Sequence, residues 1–159
     1  MIERLLIDLT NNKNIHQGDC TIKVRDLFSR KQESITRTDD KLFSMYWQVY
    51  AWCATIGFYY NKREKDVKLP HQQSFQYQMI SNGSQTIAQG LILMALSKSE
   101  SEKVEDLLDI RSLLTIVSEF AEGGAKYVLE LRQTPGQTDI FNHVDDYFDE
   151  LLERLKKTE

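Results

Sequence analysis

The sequence predicts a mainly α fold: a compact multi-helical domain around one aromatic-rich central helix, with a small N-terminal β-hairpin. Three observations predict it. The 159 residues include only seven Gly and two Pro, too few for a loop-rich β-sandwich or a disordered chain. Residues 42–60 form a nearly unbroken apolar run that holds eight of the sixteen aromatic residues. Downstream, apolar residues recur at helical spacing in several further segments.

A chain of this length makes a single domain. It divides into an appendage at 1–37, a helical core at 38–133 and a C-terminal amphipathic helix at 139–157. At this size a domain buries about two thirds of its unfolded surface and needs no covalent staple. Two cysteines make no disulfide scaffold. The apolar start, Met1 to Thr10, is interrupted by Glu3, Arg4 and Asp8 and does not read as a secretory signal. A cytoplasmic location is the expectation.

The first segment, Met1 to Leu9, is compatible with a strand or a helix. Asn11, Asn12, Asn14 and Gly18 mark a turn after it. Thr21-Ile22-Lys23-Val24-Arg25 alternates apolar and polar residues, which predicts a strand. A hairpin pairing Leu5–Leu9 with Thr21–Leu27 follows, and it needs helices to pack on.

The central helix is predicted over Leu42–Tyr60, with Thr38 or Asp39 as its cap. Only Ser44, Gln48 and Thr55 interrupt its apolar character. Nineteen residues could cross a bilayer. Gln48, four Tyr and two Trp argue against that, because Tyr and Trp favour the membrane interface over its centre. An all-round apolar helix is otherwise the buried centre of a helical domain.

Asn61 to Lys68 is a charged loop closed by Pro70. A short helix is predicted over Ser74–Ile80, a turn at Ser81-Asn82-Gly83, and a helix over Thr86–Leu96 capped by Ser84. Ser99 and Glu102 have capping-box spacing. Val104 to Leu131 reads as helix with a break near Asp109. Gly123-Gly124 lies inside its period and costs about 1 kcal/mol per Gly. Tyr127, Val128 and Leu131 resume the pattern, so continuation is expected. Asp139 to Lys157 is a last amphipathic helix with Asp145, Asp146, Asp149, Glu150 and Glu153 on its polar face.

The net charge is −4, unevenly spread. Residues 1–96 carry 12 Lys and Arg against 9 Asp and Glu; residues 97–159 carry 8 against 15. Such asymmetry suits either a basic working face or acidic helices with solvated outer sides, and the second is the expectation.

No catalytic residue, cofactor or metal site is expected. His16 and Cys20 are four apart but lack the further ligands of a structural zinc site. Cys53, between Trp52 and Ala54, is expected to be buried and inert. No nucleophile elbow, phosphate-binding glycine loop or His-Glu-x-x-His occurs. His143, Asp145, Asp146 and Asp149 share a helix face that could hold a divalent cation, although an amphipathic helix needs a polar face anyway.

The patch with a plausible ligand is Tyr59, Tyr60, Asn61, Lys62, Arg63, Lys65 and Lys68. Its cations suit phosphates, and its tyrosines suit stacking on an exposed base. Glu64 and Asp66 offset part of the charge. Cations at a helix C-terminus also suit the helix dipole without any ligand.

Ala54-Thr55-Ile56-Gly57-Phe58, followed by Asn61-Lys62-Arg63, resembles the helix end and Asn-x-Arg turn of the DNA phosphorothioation-associated protein 4 family. Ser118-Glu119-Phe120-Ala121-Glu122-Gly123-Gly124 is similar to that family's Glu-Tyr-Ala-Asn-Gly-Gly signature. The resemblance spans roughly residues 39–133. The sequence departs at Phe120 and Glu122, where the family has Tyr and Asn, and its proline is delayed to Pro70. The resemblance implies a noncatalytic accessory subunit of a bacterial DNA-modification or phage-defence complex, which binds a larger partner protein, with DNA as a secondary contact. Under that reading Gly123 and Gly124 serve helix packing or docking. A direct nucleic-acid-binding module acting through residues 59–68 is the alternative; a metal-dependent enzyme using the acidic face of the last helix is a second.

Overall fold

The computed structural model describes residues 10–29, 43–100 and 109–133. Met1–Leu9, the expected cap at Thr38 or Asp39, Glu102, and the segment expected to form a last helix, with His143, Asp145, Asp146 and Asp149, lie outside the described residues. The fold is mainly α with one two-stranded antiparallel sheet. In chain order the elements are β1 (Asn14–His16), α1 (Asp19–Phe28), α2 (Tyr46–Tyr59), β2 (Ser74–Gln76), α3 (Gln78–Gly83), α4 (Gln85–Ser97) and α5 (Ile110–Gln133).

The sheet is not where the alternation at Thr21–Arg25 put it. Those residues lie in α1, with Thr21, Val24 and Phe28 on its buried side. The spacing of three and four between them is helical, and α1 packs on α5 along that side. The strand pairing instead joins two distant tripeptides, Asn14 with Gln76, Ile15 with Phe75 and His16 with Ser74. Ser74–Gln76 is therefore a strand rather than the start of a helix. The helix begins only at Gln78 and takes in Ser81, Asn82 and Gly83. Three residues per strand are too few to fix a sheet locally; flanking bonds from Gln17 N to Gln73 O (2.8 Å) and from Tyr77 N to Lys13 O (3.0 Å) extend the seam.

The central helix α2 begins at Tyr46, four residues later than its apolar run suggests. Phe43 is already committed elsewhere: its N–H bonds the Phe28 carbonyl, tying the end of α1 to the approach to α2. The start is capped from inside, because the Gln48 side-chain oxygen accepts from Met45 N at 3.0 Å. The helix is buried through Trp47, Val49, Tyr50, Cys53, Ala54 and Ile56. Among the described residues no helix is long and apolar enough to cross a membrane.

The cap of α4 is the expected one: Ser84 Oγ accepts from Ile87 N. At the start of α5, Asp109 accepts from Arg111 N and Ser112 Oγ, at 3.1 and 2.7 Å. The same hydroxyl holds the Asp109 carboxyl below its ordinary pKa. The helix then runs unbroken through Gly123-Gly124 to Gln133. One core joins α1, α2, α4 and α5 with the sheet.

A candidate binding surface at the junction of α2 and α5

The loop singled out in the sequence begins as a helix stop. Asn61 takes a left-handed backbone (φ 51°). Lys62 N–H donates to the Gly57 carbonyl and Asn61 N–H to the Phe58 carbonyl, at 2.7 and 3.1 Å. That pair of bonds is a Schellman cap, in which Asn is the usual substitute for Gly at the left-handed position. The Asn-Lys-Arg turn therefore ends α2 and folds the chain back over α5.

The close approach explains three glycines. A Cβ on Gly57 would lie 1.9 Å from the Phe120 carbonyl oxygen, and one on Gly124 would lie 1.9 Å from that of Cys53. Each glycine thus admits the other helix's backbone. Gly123 serves the loop: its Cβ would meet the Lys62 carbonyl oxygen at 2.2 Å. Glu64 N then bonds the Glu119 carbonyl at 3.1 Å.

Half of the loop's charged side chains, Arg63, Glu64 and Lys65, are paired within the molecule. Arg63 Nε pairs with Glu119 Oε2 at 2.6 Å, with both side chains largely buried, and its guanidinium lies over the Phe120 ring. Lys65 meets Glu100, and Glu64 meets Lys126. Tyr60 packs against Tyr127, with ring centroids 4.7 Å apart. Lys98 bonds the Asn61 side chain at 3.3 Å. Tyr59 (53% exposed), Asn61, Lys62, Lys65 and Lys68 face solvent; Lys62 sits over the Tyr127 ring at 5.8 Å. Asn61 and Lys65 are engaged with Lys98 and Glu100, while Arg63 and Tyr60 are consumed by packing.

Glu119 and Glu122 were not singled out by sequence reasoning. Acidic residues in the second half were expected on solvated faces, yet both are buried, at 8% and 6% exposure. Glu122 accepts from Cys20 N (2.9 Å), Thr21 N (3.0 Å) and Thr21 Oγ1 (2.8 Å). It therefore caps the N-terminus of α1, whose own first residues supply no side-chain cap and whose dipole favours an anion. Gly18 makes room, since a Cβ there would meet the carboxylate at 2.3 Å. Ser118 completes the row by bonding Tyr50 OH at 2.9 Å. The available signal was spacing: Ser118, Glu119 and Glu122 lie within one turn or so beside two glycines, a row of small and polar residues in an apolar helix.

The cysteines are shielded. Burial, and next the Glu122 charge and hydrogen bond, raise the Cys20 thiol from 9.0 to about 11. Burial pushes the Cys53 thiol well above its ordinary value. Both are free thiols, and neither has the electropositive setting of a nucleophile. His16 and Cys20 do not meet; His16 meets His71 instead. Among the described residues no three His, Cys, Asp or Glu side chains gather as a metal site.

Comparison with known proteins found no matching family model, no matching curated protein and no matching solved structure.

Proposed function

We propose that this chain is a noncatalytic accessory subunit of a bacterial DNA-modification or phage-defence complex, which docks on a larger partner protein. One observation carries the reading. The two stretches that resemble the DNA phosphorothioation-associated protein 4 family lie some sixty residues apart in sequence, yet they converge on one junction. Gly57 faces Gly124, the Asn61 turn crosses Gly123, and Arg63 pairs with Glu119. Shared short patterns that meet in space reflect a common structural solution more readily than chance.

The docking residues in this reading are Tyr59, Lys62 and Lys68, which are exposed and whose polar ends hold no carboxylate among the described residues. An exposed tyrosine beside cations suits the rim of a protein interface. DNA contact is the secondary part of the proposal, and it rests on the same three side chains, because Arg63 and Lys65 already have carboxylate partners.

Affinity capture of the tagged full chain from its native host tests the reading. It should recover proteins encoded in a DNA-modification or restriction locus, and the triple change Tyr59→Ala, Lys62→Glu, Lys68→Glu should reduce that recovery at least tenfold. Recovery of a monomer alone would overturn it. For DNA, a gel shift at low salt, where phosphate contacts are strongest, should be lost in the same variant. No shift for the unaltered chain would remove DNA from the proposal.

A further inference from the structure

The first half of α5 borders an open cleft of about 460 Å³ on the side of the sheet. That volume lies in the range of small-molecule sites, roughly 300–1,000 Å³. The chain brings four cationic or imidazole side chains to it from three separate places: Lys13 and His16 from the β1 region, His71 from the approach to β2, and Arg111 from α5. The strand pairing aligns the first two places, setting the His16 and His71 rings edge to face at 4.9 Å.

Three features distinguish this cleft from the basic loop. Among the described residues that line it there is no carboxylate, whereas Arg63 and Lys65 each hold one. Lys13, His71 and Arg111 are exposed around the cleft, so their donors are open to a ligand. Leu69 and Leu114 give the cleft an apolar wall, which a bare inorganic ion would not use. A cation is disfavoured between Lys13 and Arg111, so two histidines here do not read as metal ligands.

We propose that this cleft binds a phosphate monoester carried on an organic body of nucleotide size. Lys13 and Arg111 contact the phosphate, with Arg111 able to offer a bidentate fork. The exposed His71 imidazole donates to it or to the sugar, and the leucines receive the base. The phosphate belongs either to a free mononucleotide or to the 5′ end of a strand. Nothing in this inference depends on the accessory-subunit reading.

Isothermal calorimetry with the full chain tests it, using adenosine monophosphate, adenosine, and a short single-stranded oligonucleotide with and without a 5′ phosphate. Binding of the monophosphate but not of adenosine is expected, or binding of the oligonucleotide only when phosphorylated. Lys13→Gln and Arg111→Gln should each weaken it at least tenfold while circular dichroism and melting stay unchanged, because both side chains are exposed. In amide NMR, the shifts on adding ligand should centre on residues 12–16, 71 and 111–115. The proposal is overturned if no phosphate probe binds at millimolar concentration. It is equally overturned if binding ignores the phosphate, or if both variants bind as tightly as the unaltered chain.

Discussion

The two halves of α5 do opposite things with polar residues. From Ser118 to Tyr127 every polar or charged side chain that reaches another element finds a partner there: Ser118 with Tyr50, Glu119 with Arg63, Glu122 with the start of α1, Lys126 with Glu64. From Ile110 to Thr115 the outward side chains bond only within their own helix turn, as Ser112 does to Asp109 and Thr115 to the Arg111 carbonyl. Arg111 lines the cleft and forms no ion pair with a carboxylate on another element among the described residues. The second half is a joint; the first is a surface. The difference follows from side-chain size at the contact. Glycine lets α2 and its loop come close enough to bury carboxylates with their partners. The first half has no glycine and borders the open cleft beside the sheet.

The sharpest way to break the joint is to give it volume. Gly124→Ala puts a methyl where the Cys53 carbonyl oxygen stands, and backbone cannot rotate away as a side chain can. A loss of about 3 kcal/mol or more in a denaturant melt is expected, at or beyond the upper end for overpacking. Glu122→Ala comes next. It strips three donors at the start of α1 of their shared acceptor, which should cost about 3 kcal/mol, since bonds to a charged group are the stronger kind. Selective loss of hydrogen-exchange protection in α1 would identify the cause.

Arg63→Ala leaves Glu119 buried without its cation and should cost about 2 kcal/mol. The pair is not fully desolvated, so the effect falls below that of a deep ion pair. A change no larger than that of Lys65→Ala, an exposed pair with Glu100, would mean the joint does not depend on this contact.

Cys20 reports on the joint through pH. Its thiol is raised from 9.0 to about 11, so the folded state favours the neutral form. The stability linked to it is full below pH 9 and is lost as pH rises through about 11. At pH 8 the native thiol should react with iodoacetamide about 100-fold more slowly than an ordinary cysteine, because about 100-fold less thiolate is present. Glu122→Ala should speed that reaction, though burial, the larger cause, retains part of the shift.

The smallest effect is expected in the other half. Arg111→Ala should change stability by no more than about 0.5 kcal/mol, as surface substitutions usually do. A larger loss would make the first half of α5 a joint as well, and the contrast between the halves would fall.

How much of this was legible depended on the range of the signal. The cap at Ser84 and the buried run Trp47–Ile56 were readable because caps and apolar periods are local. Continuation of α5 through Gly123-Gly124 was readable from the resumed period at Tyr127, Val128 and Leu131. The alternation at Thr21–Arg25 is ambiguous, because five residues fit a strand and a helix equally; the helical spacing shows only when Thr21, Val24 and Phe28 are buried together. In the binding patch, sequence weighed Arg63 as one more cation. Only the fold shows that Glu119 already holds it.

By itself the sequence determined the helical class, the places of α2, α4 and α5, and the continuation of α5 through Gly123-Gly124. These follow from propensity, period and capping, which act within a few residues. The tertiary structure alone decided which carboxylates are buried, which cations are spoken for, and that His16 and His71, fifty-five positions apart, face each other across a three-residue sheet. Those outcomes depend on contacts between distant segments, whose energies come from burial and pairing that no local pattern encodes.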